Sequence, residues 1–314
     1  HAIAFVLTVA VASVIVDLPF GLYRTFVIEA RFGFNRTTLK LYVIDLIKQA
    51  LLGVLLGGPL LLCVLWLMAV MGDAWWLYVW LTWVGFNLLI VTIYPSVIAP
   101  LFNRFTPLED LALKGRIEQL LARCGFRSQG LFVMDSSRRT SHGNAYFTGF
   151  GAAKRIVLFD TLIARLAPSE IEAVLAHELG HFSRRHVWKR MALLFSVSFG
   201  FLWLLGYLIG QEWFYSALNV HTHATAMALV LFFMVVPVFA FLLQPLMSLY
   251  SRRQEFEADA YAAQYAAASD LAQALVKLYQ DNAATLTPDP LHSAVYDSHP
   301  PAALRIARLQ PAKG

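Results

Sequence analysis

The strongest chemical signal in the sequence is a glutamate with a histidine on either side of it. These residues lie in the stretch Ala167–Arg185, which reads APSEIEAVLAHELGHFSRR and contains His177, Glu178 and His181 in an HExxH pattern. On an α-helix, His177 and His181 are one turn apart and point the same way. Two imidazoles at that spacing can hold one zinc ion, leaving positions for a third ligand and a water. Glu178 lies where it could take a proton from that water, so the pattern predicts a zinc hydrolase site.

The segment around these residues has the features of a helix. Pro168 suits a first helical turn, and Ser169 followed three residues later by Glu172 resembles a capping box. The apolar positions are spaced to form one buried face, made by Ile171, Val174, Leu175, Leu179 and Phe182. The alternative is a helix with two hydrogen-bonded histidines and a surface glutamate, so the rest of the chain must decide.

A third metal ligand could come from an acidic segment further along the chain. Arg252–Tyr261 reads RRQEFEADAY. Glu255 and Asp259 are one helical turn apart and can face the same site, whereas Glu257 is turned away. A glutamate ligand with a second carboxylate behind it, orienting a ligating imidazole, is a common arrangement around zinc. A solvated acidic helix start explains the same residues, and the residues alone leave both interpretations open.

The composition is that of a membrane protein. Of the 314 residues, 58% are hydrophobic and 14% are charged, and the mean hydropathy is +0.59. Soluble proteins carry about 25% charged residues. Five hydrophobic stretches are each long enough to cross a bilayer core of about 30 Å. We predict membrane spans at Ala2–Tyr23, Ala50–Met71, Trp75–Ile98, Met191–Gly210 and Ala226–Tyr250.

The remaining chain contains two longer polar stretches. In residues 101–190, we predict an amphipathic helix at Leu108–Cys124, with Leu111 on its apolar side, and strands at Leu131–Met134, Ala145–Phe150 and Arg155–Phe159, the last two joined by a tight turn. Residues 251–314 are predicted to be mostly helical. The expected fold is therefore an α-helical integral membrane protein with a small α+β zinc metalloprotease domain. It divides into three spans (1–100), the zinc segment (101–190), two spans (191–250) and a C-terminal helical segment (251–314).

The formal net charge of +5 is distributed unevenly around the spans. Basic residues follow the first and fifth spans and occur throughout the zinc segment, whereas the turns Gly72–Ala74 and Gln211–Thr225 contain no Lys or Arg. By the positive-inside rule, the basic segments and the zinc site face the cytoplasm. The charge is thus a topology signal that also attracts anionic lipid, and it gives no support for a nucleic-acid partner.

HELGH with a downstream EFEAD, after a pair of hydrophobic helices, resembles the type I CAAX prenyl protease family, which are integral-membrane zinc peptidases of the gluzincin type. Further matching stretches follow in order along nearly the whole chain: LPFGLYRTFVIEARFGFNRTT (Leu18–Thr38), IYPSVIAPLFNRFTPL (Ile93–Leu108), NAYFTGFGAAKRIVLFDTL (Asn144–Leu162), PLMSLYSRRQEFEADAYA (Pro245–Ala262) and DSHPP (Asp297–Pro301). The resemblance implies a bundle of seven transmembrane helices that encloses a large hydrated chamber. Since five spans are clear here, we expect the family's first span and the loop after it to be missing from this chain.

The resemblance also implies roles for the residues of the site. It makes His177, His181 and Glu255 the ligands of one Zn²⁺ per chain and Glu178 the catalytic carboxylate. Asp259 becomes the carboxylate that orients a ligating histidine.

Other roles implied by the resemblance concern the substrate. Asn144 would lie on an edge strand, where the backbone of Asn144, Ala145 and Tyr146 pairs with the extended substrate by strand addition. His299 and Arg305 would face the cleft, with His299 a candidate donor to the tetrahedral oxyanion. The alternative for His299 is a packing role in a turn bounded by prolines, and Arg305 could serve only to brace a carboxylate.

His186 also matches the family pattern. On a continuous helix its register relative to His181 would point it away from the zinc face. We therefore predict no role for His186 at the metal.

The predicted activity is hydrolysis of a peptide bond near the membrane. The family's substrates are C-terminal peptides that carry a prenylated cysteine. The Ala-rich composition suggests a bacterial source and hence the inner membrane, and a eukaryotic source would place the protein in the endoplasmic reticulum membrane. In a bacterium, the alternative is a broad-specificity quality-control protease for damaged membrane proteins. The predicted partners are therefore a peptide or membrane-protein substrate and the lipid bilayer.

Two other classes of function fit the sequence less well. A non-catalytic zinc-bearing scaffold would have no need for Glu178, which is present with both histidines. A transporter would be expected to have charged residues within its spans, and the second to fourth spans contain none between their ends.

Overall fold

The computed structural model describes residues 2–149, 154–285 and 287–310. These residues are mostly helical. The helices are α1 (Ala2–Tyr23), α2 (Leu39–Leu52), α3 (Gly58–Val70), α4 (Trp75–Ile93), α5 (Ala99–Phe102), α6 (Leu111–Arg123), α7 (Asp160–Arg165), α8 (Pro168–Ser183), α9 (His186–Leu208), α10 (Glu212–Ser216), α11 (Thr225–Ala240), α12 (Gln244–Tyr265), α13 (Ala268–Asp281), α14 (Pro290–Tyr296) and α15 (Ala302–Leu309). The strands are β1 (Phe105–Pro107), β2 (Leu131–Met134), β3 (Ala145–Thr148) and β4 (Arg155–Phe159).

The chain divides into two compact units. The first unit comprises His1–Thr25, Leu39–Ile93 and Lys189–Leu242. The second unit comprises Phe26–Thr38, Tyr94–Trp188 and Leu243–Gly314. All residues predicted for the active site belong to the second unit.

Among the described residues, five helical segments are long and apolar enough to cross a membrane, as the sequence predicts. They are Ala2–Glu29, Leu39–Val70, Gly72–Phe102, His186–Leu208 and Thr225–Tyr265. The second segment begins at Leu39 and not at Ala50, because α2 continues through a π-helical stretch at Gly53–Gly57 into α3. The fifth segment runs past the predicted end at Tyr250, so the acidic stretch EFEAD continues the helix that carries the last hydrophobic residues.

Aromatic packing joins α4 to α9 within the first unit. Trp76 and Trp80 each contact Phe199 edge-on, with ring centroids 5.2 Å apart in both pairs. The indole Nε1 of Trp80 donates to the carbonyl oxygen of Phe195 at 2.9 Å. Gly206 leaves room for Trp76, since a Cβ there would lie 2.9 Å from the indole ring. These contacts pack aromatic rings of the two helices against each other.

The second unit contains a four-stranded sheet in the order β1–β2–β4–β3. β2 and β4 are parallel, and the two outer pairs are antiparallel. The sequence predicts β2 and β4 with correct bounds but misses β1, because three residues ending in Pro107 give no alternation to detect. β3 ends at Thr148, and the predicted continuation of this strand and its turn fall partly on residues 150–153, which lie outside the described residues.

The core of the second unit is formed by the sheet, α6, α8 and α13. Its fully buried members include Ile117, Leu120, Ile156, Leu158, Ile171, Leu175, Leu179 and Leu271. The prediction for Leu111 is wrong, because this residue is 80% exposed. Asp110 caps α6 by accepting from the backbone N–H of Leu113 at 3.0 Å, so the helix starts at Leu111 and its first residue faces solvent.

α8 starts at Pro168 as predicted, but its cap differs from the prediction. Glu170 Oε2 accepts from the backbone N–H of Ala167 at 2.7 Å and closes the first turn. The predicted capping role of Glu172 is wrong. The carboxylate of Glu172 instead forms ion pairs with Arg116 at 2.9 Å and with Arg123.

α8 packs against α12 at very short range. The helices meet where Gly180 faces Ala258. A Cβ on Gly180 would lie 2.9 Å from the Cα of Ala258 and 3.0 Å from its carbonyl oxygen. Only glycine allows this approach without displacing backbone, and the approach brings side chains of α12 to the histidines of α8.

Candidate metallopeptidase site

Three side chains with metal-ligating atoms converge where α8 packs against α12. The Nε2 atoms of His177 and His181 are 3.1 Å apart. Glu255 Oε2 lies 3.5 Å from His177 Nε2, and Glu255 Oε1 lies 3.4 Å from His181 Nε2. One ligand atom from each residue lies within 4.8 Å of the others. Two imidazoles and a carboxylate are a donor set that zinc takes in hydrolases, so these residues fit the metal.

Asp259 and Arg305 lie behind His177. Asp259 Oδ1 is 2.8 Å from His177 Nδ1. Arg305, on α15, donates to both oxygens of Asp259, from Nε at 2.8 Å and from Nη2 at 2.6 Å. Both residues are buried. Because the N–H at Nδ1 of His177 donates to Asp259, the lone pair of Nε2 is directed toward Glu255 and His181.

The buried charges shift the pKa values of His177 and Glu178. Burial acts to lower the pKa of His177, but hydrogen bonds to Asp259 and Glu255 outweigh it and raise the pKa to about 9. Protons therefore compete with a metal for this imidazole. Burial also raises the pKa of the Glu178 carboxyl above its ordinary value, against the opposing charges of His177 and His181. A carboxylate with a raised pKa is a better proton acceptor near neutral pH.

His186 contacts His181, although the sequence predicts no role for it at the metal. The Nδ1 atoms of the two rings are 2.9 Å apart, and His186 Nε2 lies 3.1 Å from Glu257 Oε2. His186 does not follow the register of a continuous helix, because α8 ends at Ser183 and Arg185 has a φ of 57°. The match of His186 to the family pattern is the sequence signal that could have revealed this contact.

A cleft of about 930 Å³ opens beside these residues. It is lined by His142, Asn144, Tyr279, Asn282, His299 and Arg305, among others. His299 Nε2 lies 3.5 Å from Glu255 Oε1, and His299 Nδ1 lies 3.0 Å from the hydroxyl of Ser298. Desolvation and Arg305 lower the pKa of His299 against the opposing effect of Glu255, which favours the neutral imidazole. If Ser298 donates to Nδ1, the N–H of His299 lies at Nε2, on the side of the metal ligands.

Asn144 directly precedes β3, which lies at the edge of the sheet. The side-chain oxygen of Asn144 accepts from the backbone N–H of Ala145 at 2.8 Å. The backbone carbonyl oxygen of Asn144 accepts from the backbone N–H of Phe159 at 3.0 Å. Ala145 packs into the core, and Tyr146 lines a separate cavity of about 350 Å³. Of the three residues predicted to bind substrate, Asn144 is the one that lines the large cleft, so Ala145 and Tyr146 could contribute only through their backbone.

Spanning helices, a buried His-His-Glu group and an adjacent glutamate are together the features of a membrane-bound metallopeptidase. Two known families match consecutive parts of this chain. The N-terminal region of CAAX prenyl proteases, with five membrane helices, matches residues 1–104, and peptidase family M48 matches residues 107–313. The chain belongs to peptidase family M48, and the resemblance predicted from the motifs is confirmed.

Individual relatives match along almost the whole chain. The CAAX prenyl protease 1 homolog of Oryza sativa subsp. japonica is 40% identical over 319 residues, which cover 99% of this chain and 74% of the relative. CAAX prenyl protease 1 of Saccharomyces cerevisiae is 37% identical, covering 95% and 69%. The human CAAX prenyl protease 1 homolog is 33% identical, covering 100% and 74%. The crystal structure of S. mikatae Ste24p superposes with a TM-score of 0.91 at 36% identity, covering 98% of this chain and 75% of that chain.

Proposed function

We propose that the protein is a zinc endopeptidase that removes the C-terminal tripeptide from prenylated CaaX proteins. The observation that carries the proposal is the convergence of His177, His181 and Glu255 within 4.8 Å, with Glu178 next to the first histidine. The relatives named CAAX prenyl protease 1 support prenylated substrates over the alternative of broad-specificity quality control.

His177, His181 and Glu255 would hold one zinc ion per chain. When bound, the ion would polarise the scissile carbonyl and make a water molecule a stronger nucleophile near neutral pH. Glu178 accepts the proton of the attacking water and returns it to the leaving amine. Its raised pKa suits both transfers, because the group must gain and lose a proton in one turnover.

Residues around the ligands complete the proposed site. Asp259, held by Arg305, fixes the ring of His177 with Nε2 toward the metal. The N–H of His299 donates to the oxygen that becomes negative as the carbonyl is attacked. The open edge of β3, beginning at Asn144, accepts the substrate as an added strand.

The site faces the cytoplasm. This orientation rests on the positive-inside rule, because the basic segments around the site contrast with turns that contain no Lys or Arg. The membrane would be the inner membrane in a bacterium and the endoplasmic reticulum membrane in a eukaryote.

The test is cleavage of a farnesylated CaaX peptide by the full chain in detergent. Wild type, Glu178→Gln and Glu172→Gln would be compared, with zinc content measured by mass spectrometry. Glu172→Gln is the matched control, because it makes the same change on the same helix at a residue that pairs with surface arginines. An unprenylated peptide measures the contribution of the prenyl group.

We expect Glu178→Gln to retain zinc and to lose activity by a factor of about 10²–10⁴, while Glu172→Gln cleaves like wild type. No zinc in the wild type would refute the proposal. If the protein cleaved an unfolded membrane protein in a Glu178-dependent reaction but did not cleave the farnesylated peptide, the result would favour a quality-control function instead.

A further inference from the structure

The two ligating histidines are supported in different ways. His177 contacts a carboxylate directly, through Asp259. On the corresponding side of its ring, His181 Nδ1 contacts a second histidine, His186, which in turn contacts the carboxylate of Glu257. We propose that His186 is a positioning residue that fixes the ring of His181 for metal binding through a chain of hydrogen bonds to Glu257. This inference rests on the proposed metallopeptidase function.

The need for a free lone pair at His181 Nε2 determines which atoms donate along the series of hydrogen bonds from His181 through His186 to Glu257. His181 Nε2 faces His177 and Glu255, so this nitrogen must be unprotonated to bind a metal. The proton of the neutral ring therefore sits at Nδ1 and is donated to His186 Nδ1, 2.9 Å away. The proton of His186 then sits at Nε2 and is donated to Glu257 Oε2 at 3.1 Å.

Glu257 in turn pairs with an arginine of the same helix, Arg253. Its other oxygen, Oε1, accepts from Arg253 Nε at 3.1 Å. The support of His181 thus runs through His186 and Glu257 to Arg253, and the support of His177 runs through Asp259 to Arg305. Each ligating imidazole has its proton fixed on Nδ1 by a chain that ends at a guanidinium, so both present the lone pair of Nε2 toward the same point.

The backbone before His186 supports a dedicated position for this ring. Arg185 is one of three described residues other than glycine with a positive φ, at 57°. This left-handed conformation is costly for a side chain with a Cβ. It ends the turn after α8 and starts α9 at His186, which brings that ring back onto His181 with only 1% of its surface exposed. The turn thus places a buried imidazole directly against His181, where it can orient that ring.

The test measures zinc affinity of the full chain in detergent by competition with a chromogenic chelator. His186→Phe keeps the ring and removes both nitrogens. His186→Asn offers an oxygen near the position of Nδ1 but cannot reach Glu257, and Glu257→Gln removes only the charge. His221→Phe is the matched control, because His221 is exposed and lies between α10 and α11.

We expect His186→Phe to weaken zinc binding by about 10- to 100-fold, as loss of such partners does elsewhere. His186→Asn should recover part of the affinity, Glu257→Gln should lose less than His186→Phe, and His221→Phe should bind like wild type. The visible spectrum of the Co²⁺-substituted protein should change in His186→Phe, and kcat should fall at saturating zinc without a change in KM.

A purely structural role predicts a different pattern. His186→Phe would then lower the melting temperature of the chelator-treated protein, and its folded fraction would bind zinc like wild type, which would overturn the inference. If His186→Phe fails to fold, His186→Asn and Glu257→Gln decide the matter by the same measurement. Wild type without zinc or without Glu178-dependent cleavage would instead refute the proposed function itself.

Discussion

At the scale of residues, Arg305 holds Asp259 with two donors in a fixed plane. Nε and Nη2 each reach one carboxylate oxygen, and the pair is buried. A lysine keeps the positive charge but can present only one point of contact at that distance. We predict that Arg305→Lys weakens zinc binding by about 10- to 100-fold, because Asp259 no longer fixes the ring of His177. Chelator competition on the purified protein measures the effect.

The control for this prediction lies one turn further along α15. Arg308 is exposed and stacks on Phe256, with its guanidinium 3.6 Å from the ring centroid. Arg308→Lys makes the same change on the same helix without touching Asp259. We expect it to bind zinc like wild type. Equal losses in the two variants would mean that α15 as a whole had been disturbed.

The sequence could predict those contacts of the site that join residues close together along one helix. His177 and His181, and Glu255 and Asp259, are pairs at helical spacing, so the sequence alone could place each pair on one face. The contact of Arg305 with Asp259 spans 46 residues and could be suggested only by the family resemblance. His186 was missed because its position depends on the left-handed backbone at Arg185, which no side-chain pattern predicts.

At the scale of elements, the distance between α8 and α12 sets the geometry of the site. Glu255 and Asp259 flank Ala258, the residue that Gly180 meets. We predict that Gly180→Ala displaces α12 and lowers zinc affinity, even though alanine favours helix formation by about 1 kcal/mol. Zinc affinity and thermal unfolding of the two proteins in detergent measure the effect.

Gly115→Ala is the matched control. Gly115 lies in α6, where an added Cβ would have nothing within 4 Å. The same substitution there should stabilise the protein by about 0.5–1 kcal/mol and leave zinc binding unchanged. A Gly180→Ala protein with normal zinc affinity and raised stability would contradict the role of close helix packing.

Asp160 links the ends of the two parallel strands. Its Oδ1 accepts from Ser136 Oγ at 2.7 Å, from the backbone of Ser137 at 2.9 Å and from the backbone of Thr161 at 2.8 Å. Desolvation raises the pKa of Asp160, but the hydrogen bonds from Ser137 and Ser136 outweigh it and hold the pKa below its ordinary value. A lowered carboxyl pKa adds stability above the unfolded pKa of about 3.9, and that stability is lost as the pH falls through the folded value.

We therefore predict that Asp160→Asn destabilises the protein by about 1–3 kcal/mol at pH 7 and that this difference shrinks toward pH 3. Melting temperatures of wild type and variant at both pH values would measure it. Asp289→Asn is a suitable comparison, because Asp289 caps the short helix α14 by accepting a hydrogen bond from the backbone N–H of His292. A difference for Asp160→Asn that stayed constant with pH would contradict an origin in the carboxylate charge.

At the scale of elements, the sequence predicted helices better than their ends. Hydrophobic length predicted five spans, because the bilayer requires about 20 apolar residues in a row. It placed the start of the second at Ala50, because α2 is too polar to be detected by hydropathy, although it continues into α3. β1 was missed because its pairing with β2 is tertiary and leaves no periodic pattern in three residues.

At the scale of the whole molecule, the hydrated chamber and the side of the membrane that the site faces are predictions from the sequence. The side that the site faces can be tested by labelling. In the sequence, His177 precedes the predicted span Met191–Gly210 and Glu255 follows the predicted span Ala226–Tyr250, and an even number of crossings returns the chain to the same face. Their convergence at one site therefore agrees with the charge pattern, which places both basic segments on the cytoplasmic side.

Cysteine labelling with a membrane-impermeant maleimide on sealed vesicles would test this orientation. In a background of Cys63→Ser and Cys124→Ser, we expect Lys114→Cys to react only from the cytoplasmic face. Asp73→Cys and Glu212→Cys, at exposed positions in the two connections without basic residues, should react only from the opposite face. The reason is that a segment rich in Lys and Arg is retained on the cytoplasmic side, whereas these turns contain none. If Lys114→Cys and Asp73→Cys reacted from the same face, the segment Gly72–Phe102 would not cross the membrane. If Lys114→Cys reacted only from the outer face and the other two only from the cytoplasmic face, the metal ligands would lie outside the cytoplasm.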